Sequence, residues 1–392
     1  MSASPLSGLV VADLTRFLPG PLAAHLLADL GARVVKIEEP RNGDPVRQAP
    51  PVREGTGALA AVLLSGVESV ALDLKQEDAR EVLARLLEKS DILIESFRPG
   101  TLDRLGFPPA TLRERYPRLI VCSISGWGPD GPYARRAGHD LTYQALAGTL
   151  AATAAMPHLP VADLIGAWSA VTAILAALHE RERTGQGTHI DAALFDAGFH
   201  AGLTAWAAEA EGAKKVGQRL PLSGALPCYN LYKTADDHPI ALGALEPHFW
   251  EHFCRAAGRP ALIGRQYSDS PSVRRKVEDL FRTRTRAEWM ALFAAEDIPA
   301  EPVLTPTEAR RHPQAAERDL LRYGPDSLLR IGFPARLDGE RPRASESVPD
   351  LGEHTDAVLQ ELGIENRPRR EKQKVGIGSR FSLKRVFRRW FS

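Results

Sequence analysis

The feature that most constrains this chain is a repeated alternation, over its first 140 or so residues, of short apolar runs with longer amphipathic stretches. Leu9–Asp13 reads Leu-Val-Val-Ala-Asp, a β-like run. After Pro19-Gly20-Pro21 the spacing predicts a helix over roughly 21–30, stopped at Gly31. Strand-like runs follow at Ala32–Glu38, Ser69–Leu72, Ile92–Glu95 and Leu119–Ile124, with a helix over Asp78–Glu88 between two of them. Strands joined by helices pair in parallel, because each helix carries the chain back across one face of the sheet. The expected class is therefore α/β, with a Rossmann-like large domain built on a parallel sheet. No Gly-x-Gly-x-x-Gly turn accompanies it, so dinucleotide binding is not indicated.

Past residue 160 the pattern changes. Residues 163–183 read as one long helix, with Asp163 as N-cap and Gly185 near its stop. A second, mostly apolar helix is expected from about Ala192 to Glu211. Tyr229–Lys233 and Pro239–Leu242 flank the polar turn Ala235-Asp236-Asp237-His238, which predicts a hairpin. Helices at about 247–257, 271–283 and 285–295 complete a smaller α+β domain, and the Pro- and Arg-rich stretch near 334–349 reads as a linker. The expected division is a large domain over 1–225, a small domain over 226–330, a return segment over 331–366 and a basic tail over 367–392.

Composition serves mainly to exclude. A hydrophobic share of 44% with 25% charged residues is that of a soluble globular protein. No run of about 18 uncharged apolar residues predicts a membrane span, and Met1-Ser2-Ala3-Ser4-Pro5 lacks the start of a secretory signal. Cys122, Cys228 and Cys254 are scattered, with neither metal-ligand spacing nor an even count, so a cytoplasmic setting and no metal are expected. The net charge of +1 hides an asymmetry: residues 367–392 hold ten Lys or Arg against Glu371 alone, leaving −8 on the rest. A nucleic-acid-binding body is thus not expected. In the tail, Phe381, Leu383, Val386, Phe387, Trp390 and Phe391 interleave with Lys384, Arg385, Arg388 and Arg389, a pattern suited to peripheral contact with an anionic membrane.

Taken singly, the chemistry-bearing residues have ordinary readings. Asp163 caps a helix, His139-Asp140 makes a turn or cap, and Glu246 is a surface acid before a Pro-initiated helix. Their neighbours say more. Pro5-Leu6-Ser7-Gly8-Leu9 is followed by Leu27-Ala28-Asp29-Leu30-Gly31-Ala32 and Val34-Val35-Lys36-Ile37-Glu38, then by Gly43-Asp44-Pro45-Val46-Arg47 and Ala71-Leu72-Asp73-Leu74-Lys75. Asp91-Ile92-Leu93-Ile94-Glu95-Ser96-Phe97-Arg98-Pro99-Gly100 and Gly126-Trp127-Gly128-Pro129-Asp130-Gly131-Pro132 come next. Arg183-Thr184-Gly185-Gln186-Gly187 and Pro349-Asp350-Leu351-Gly352-Glu353-His354-Thr355-Asp356 close the set. In order and spacing, from residue 5 to about 363, these segments resemble the family III CoA-transferase and α-methylacyl-CoA racemase superfamily.

The resemblance implies an interlocked homodimer that binds an acyl-CoA substrate on the large domain, with no cofactor beyond the coenzyme A moiety of that substrate. It implies two chemistries at Asp163: a nucleophilic carboxylate in a CoA-transferase, or an acid/base group in a racemase. His139 of Gly138-His139-Asp140 and Glu246 of Leu245-Glu246-Pro247 occupy the racemase positions, and the Gly-rich loop of many transferases is not evident near 223–230. The leading expectation is therefore a racemase acting at the α-carbon of 2-methylacyl-CoA-type thioesters. A CoA-transferase using Asp163, and a non-catalytic acyl-CoA-binding protein, are the alternatives. An α-proton beside a thioester is weakly acidic, and inversion is simplest with one base on each face. His139, oriented by Glu246, would serve one face and Asp163 the other. Apolar Leu164–Trp168 beside Asp163 would raise its pKa, and the amides opening its helix would meet the enolate oxygen. By the same resemblance CoA is held by Arg98, Arg41, Arg47 and Lys75, with Gly138 and Asp140 at the site.

Three departures qualify the match. Leu64-Ser65-Gly66-Val67-Glu68-Ser69 lacks the usual basic cluster, Glu39 stands where relatives often carry Arg, and Phe199, Leu203 and Trp206 replace a Met-rich acyl surface. A rigid aromatic lining predicts a different or narrower acyl group.

Overall fold

The computed structural model describes residues 4–53, 55–151, 156–212 and 221–364. The basic tail and its expected membrane contact lie outside the described residues. Two compact units emerge: Met1–Ala147, Pro157–Ala201 and Gln314–Ser392 form one, Gly148–Met156 and Gly202–Pro313 the other.

The first unit is mixed α/β around a six-stranded sheet. Its strands are β1 (Val10–Leu14), β2 (Arg33–Glu38), β3 (Glu68–Ala71), β4 (Ile92–Glu95), β5 (Ile120–Ser125) and β6 (His189–Ala193). Their spatial order is β3-β2-β1-β4-β5-β6, every pair parallel. The order reverses between β1 and β4, and in open α/β sheets that reversal opens a crevice beyond the carboxyl ends of the strands.

Helices cover both faces. On one, α1 (Pro19–Asp29) and α4 (Val161–Thr184) bury Ala23, Leu27, Ala167, Ala170 and Ile174 with Ile92, Ile120 and Cys122. On the other, α2 (Glu77–Glu88) and α10 (Thr355–Glu361) bury Val82, Leu83, Leu86, Leu87 and Val358 with Leu93 and Val121. Prolines in the first turn start α1. Gly31 at φ 102° and Gly185 at φ 71° supply the left-handed residues that close α1 and α4. By length and composition α4 would suit a membrane span, but its buried residues pack into this core.

Two local expectations are corrected. The span Ala192–Glu211 is not one helix: the chain first completes β6, then forms α5 (Leu194–Ala201) and α6 (Leu203–Ala210), interrupted at Gly202. The unpaired side of β5 took precedence over helix propensity, pairing Val121 with His189 through Ser125 with Ala193. Nor is Asp163 an N-cap. Pro160 holds that position, and Asp163 sits in the first turn of α4.

The return segment is more than a linker. The Asp29 carboxylate accepts from the Ala344 amide at 2.8 Å. His354 brackets Ser69 on the outer edge of β3, its amide donating to the Ser69 carbonyl at 2.9 Å and its Nδ1 accepting from the Ser69 amide at 3.2 Å. The Ala71 amide donates to the Thr355 hydroxyl at 3.0 Å. An edge strand so covered offers little backbone for another chain to pair with.

The second unit carries an antiparallel sheet of β7 (Tyr229–Lys233), β8 (Pro239–Gly243) and β9 (Ala300–Pro302), ordered β9-β8-β7. The hairpin falls at the polar turn, with Asp237 at φ 60°. Helices α7 (Pro247–Ala256), α8 (Pro271–Phe281) and α9 (Arg286–Phe293) supply Trp250, Phe253, Phe281 and Trp289 to its core, where Tyr232 stacks on Phe281 at 4.8 Å.

Candidate active site

The crevice at the β1/β4 reversal is a cavity of about 240 Å³. That is below the roughly 300–1,000 Å³ of a whole small-molecule site, so it suits one portion of a larger ligand. Leu14, Ile37, Leu72, Phe97 and Leu105 give it apolar walls, and Arg16 and Lys75 bring positive charge. Beneath it Lys36 is wholly buried, 3.1 Å from Asp13, 3.2 Å from Asp44 and 2.7 Å from the Thr15 carbonyl. Burial works against the ammonium, yet Asp13, Asp44 and Glu38 hold its pKa above the ordinary Lys value. This ion cluster fixes the loops that leave β1 and β2.

The residues expected to hold CoA differ in their freedom. Lys75 is exposed on the crevice, and Arg98 is exposed just beyond β4. Arg41 is exposed and pairs with Glu39 at 3.2 Å, while Glu39 also accepts from the amide and side chain of Asn42. Arg47 is turned inward: Nε and Nη2 donate to Glu38 at 2.8 and 2.6 Å, and Nη1 to the Pro349 carbonyl at 2.8 Å. Burial opposes the Glu38 charge, but Arg47, Ser69 and Lys36 hold its pKa below the usual range.

The second focus of the site is built on α3 (Asp140–Leu146) and the first turn of α4. Asp140 joins them. Its Oδ1 accepts from the amides of Ala162 at 2.8 Å and Asp163 at 3.1 Å, and its Oδ2 from Gln144 Nε2 at 2.6 Å. The cap of α4 thus comes from another helix, satisfying amides that its own Pro160 side chain has no oxygen to meet. The consequence for Asp163 is electrostatic. Burial, and then the nearby Asp140 charge, push its carboxyl up to about 7. The expectation that the opening amides of α4 would meet an enolate oxygen is corrected: those of Ala162 and Asp163 are occupied by Asp140, and that of Leu164 by the Pro160 carbonyl.

His139 immediately precedes Asp140, at the N-cap position of α3, with its amide donating to the Thr142 hydroxyl at 3.0 Å. Its side chain is exposed and meets the Phe17 ring edge-on, with centroids 6.5 Å apart. Phe17 holds φ 70°, a left-handed conformation that costs a non-glycine residue energy. The Phe17 amide donates to Asp44 Oδ1 at 3.2 Å, and the Arg16 guanidinium lies 5.5 Å from the Phe17 ring centroid. Arg16-Phe17 therefore runs from the crevice to the imidazole.

Tyr143 and Trp127 back this arrangement, with ring centroids 4.8 Å apart at 82°. Burial and the Asp163 charge push the Tyr143 phenol up to about 12, and Arg98 partly opposes them. Gly138 serves packing: a Cβ there would lie 2.5 Å from Tyr143 Cε1 and 2.9 Å from Trp127 Nε1. Asp140 and Gly138, expected at the bound cofactor, thus have structural partners of their own. Glu246 lies in the second unit, exposed at the N-cap position of α7 and without a side-chain capping bond. Sequence reasoning missed Arg16, Phe17 and the Lys36 cluster. The one available signal was a buried-type strand, Val-Val-Lys-Ile-Glu, carrying a lysine that needs a partner.

Asp140 thus relates the two candidate residues: its carboxylate accepts from the Asp163 amide, and it directly follows His139 in the chain. Against known proteins, the model for CoA-transferase family III matches residues 6–355. The chain is 33% identical over 372 residues to the alpha-methylacyl-CoA racemase of Homo sapiens, covering 92% of this chain and 94% of that protein. It is 31% identical over 377 residues to the acetyl-CoA:oxalate CoA-transferase of Acetobacter aceti, covering 91% and 96%. A solved CAIB/BAIF family protein from Brucella suis is similar with a TM-score of 0.81 at 30% identity, covering 92% of this chain and all of that one.

Proposed function

This chain belongs to CoA-transferase family III, an enzyme family of racemases and CoA-transferases, and on that premise we propose that it is an acyl-CoA racemase. Its substrates are 2-methylacyl-CoA-type thioesters, inverted at the α-carbon by transfer of one proton off one face and another onto the opposite face. The observation that carries this reading is the Asp163 carboxyl, raised to about 7 by burial and Asp140. Near neutral pH such a group is about equally acid and base, which suits a residue that must both take and return a proton. A nucleophile that attacks a thioester works only as the ionised carboxylate, and protonation near neutrality removes part of it.

In one direction the Asp163 carboxylate takes the α-proton, and the electron pair passes into the thioester carbonyl as an enolate. Protonated His139 then donates from the other face; the reverse reaction exchanges the roles. Lys75, Arg98 and Arg16 are the free cations for the CoA phosphates, because Arg47 is held by Glu38. The active form is an interlocked homodimer, and no cofactor is required beyond the coenzyme A of the substrate. Exposed Trp168 and Leu175 on α4 are consistent with a covering second copy.

Proton NMR of a 2-methylacyl-CoA in D2O, with an acceptor carboxylate present, tests this reading. The expected result is deuterium at the α-carbon with no thioester formed on the acceptor. Transfer to the acceptor with a hydroxylamine-trappable acyl group on Asp163 would establish the transferase instead. Exchange by Asp163→Ala at the parent rate would remove Asp163 from the mechanism.

A further inference from the structure

We propose that Phe17 is a positioning residue for His139, its ring holding the imidazole in the orientation that serves proton transfer; this rests on the reading of His139 as an acid/base group. Phe17 lies at φ 70°, in the region that favours glycine. Side chains from three other elements hold the segment in that shape. Lys36 Nζ donates to the Thr15 carbonyl at 2.7 Å, the Arg16 amide donates to Ser96 Oγ at 3.1 Å, and the Phe17 amide donates to Asp44 Oδ1 at 3.2 Å. Lys36 is wholly buried and pairs with Asp44 at 3.2 Å, so two of these holds are tied to each other. Strained backbone persists only where its surroundings over-determine it, and such places cluster at functional sites.

A glycine would adopt this conformation freely, so the phenyl ring is carried against a backbone penalty. Burial compensates little, because Phe17 is 46% exposed. The ring instead meets His139 at 84°, with centroids 6.5 Å apart, and the Arg16 guanidinium stands 5.5 Å from its centre. Edge-on pairs at such separations are attractive and directional. The backbone of His139 is already fixed: its amide donates to the Thr142 hydroxyl at 3.0 Å, and its carbonyl accepts from the Thr142 amide at 2.8 Å. Its side chain is exposed, and exposed side chains change rotamer within picoseconds to nanoseconds. Catalytic geometry tolerates displacements of only about 0.5 Å and about 10–20°. Phe17 limits that rotation from a loop that is itself held in place. The neighbouring crevice is lined by Arg16 and not by Phe17, so loss of the ring should act on turnover rather than on CoA binding.

The test compares the full chain with Phe17→Gly, which relieves the backbone, and Phe17→Tyr, which keeps the ring. Deuterium exchange at the α-carbon of a 2-methylacyl-CoA gives kcat and KM, and urea midpoints report folding. Phe17→Gly is expected to lower kcat at least about fivefold with KM within about twofold, and Phe17→Tyr to stay within about twofold of the parent in both. The urea midpoint of Phe17→Gly should be no lower than the parent's. NMR of chains carrying 13C at histidine Cε1 reads the contact without the reaction, with His139→Gln identifying the resonance. Phe17→Gly should move that resonance toward the position of a free histidine, and Phe17→Tyr should leave it near the parent's. An unmoved resonance, a parental kcat, or a lowered urea midpoint in Phe17→Gly would each overturn the proposal. A parent that exchanges no deuterium would instead sink the racemase reading, and the resonance comparison would then decide the Phe17 contact alone.

Discussion

Replacing Asp163 with Asn should stabilise the protein while abolishing its proposed reaction, and the size of the effect should depend on pH. In the unfolded chain Asp163 ionises near 3.8, whereas in the fold it keeps its proton to about 7. Between those values the folded state binds more protons, so stability falls as pH rises from about 4 to about 7, and the loss is complete above 7. At about 1.36 kcal/mol per pH unit the full cost is roughly 4 kcal/mol. Residual contact with water screens the charge and reduces it to about 2–4 kcal/mol. Asn carries no charge and is free of this penalty. Parent and Asp163→Asn should therefore be equally stable near pH 4, with the variant ahead by that amount at pH 8. Urea midpoints measured across this range provide the assay: with slopes of a few kcal/mol/M, a separation of about 1 M is expected at the alkaline end. A gap that does not widen with pH, or a parent more stable than the variant at pH 8, would refute the reasoning.

Other outcomes follow from the same geometry. Asp140→Asn keeps an oxygen for the Ala162 and Asp163 amides but removes the charge, so the pH at which Asp163 begins to act as base should fall, read from the deuterium-exchange rate profile. Asp140→Ala also loses the cap and should cost about 1 kcal/mol of stability. Lys36→Met would leave Asp13 and Asp44 buried without their cation and should cost about 3–5 kcal/mol, measured by thermal unfolding; a loss below about 1 kcal/mol would show that the cluster does not fix the loops.

Much of the first unit was legible because its signals are local. Apolar runs bounded by Gly and Pro placed five of the six parallel strands to within a residue or so. The sixth, His189–Ala193, carries a polar Asp191 and is defined by its partner β5 rather than by its own composition. Asp163 was visible as a helix-opening acid, but the cap belongs to Asp140, 23 residues earlier, a relation that exists only after α3 and α4 pack. Arg47 looked like a free cation; the Glu38 carboxylate that binds it is recognisable only once β2 is known to end beside the following loop. Phe17 carries no sequence signal for its left-handed backbone, which the Asp44 contact and the surrounding loop enforce.

The hold of His354 and Thr355 on β3 has a consequence for how the chain is made. Ser69 and its covering imidazole are 285 residues apart, and Ala71 and its covering hydroxyl 284. At about 5–20 residues per second a ribosome needs roughly 15–60 s to deliver the second after the first. Throughout that interval the nascent sheet has an open margin, available to neighbouring chains on the same polysome. An open edge of this kind is an aggregation hazard during translation, and chaperone demand should drop once residue 355 has cleared the exit tunnel.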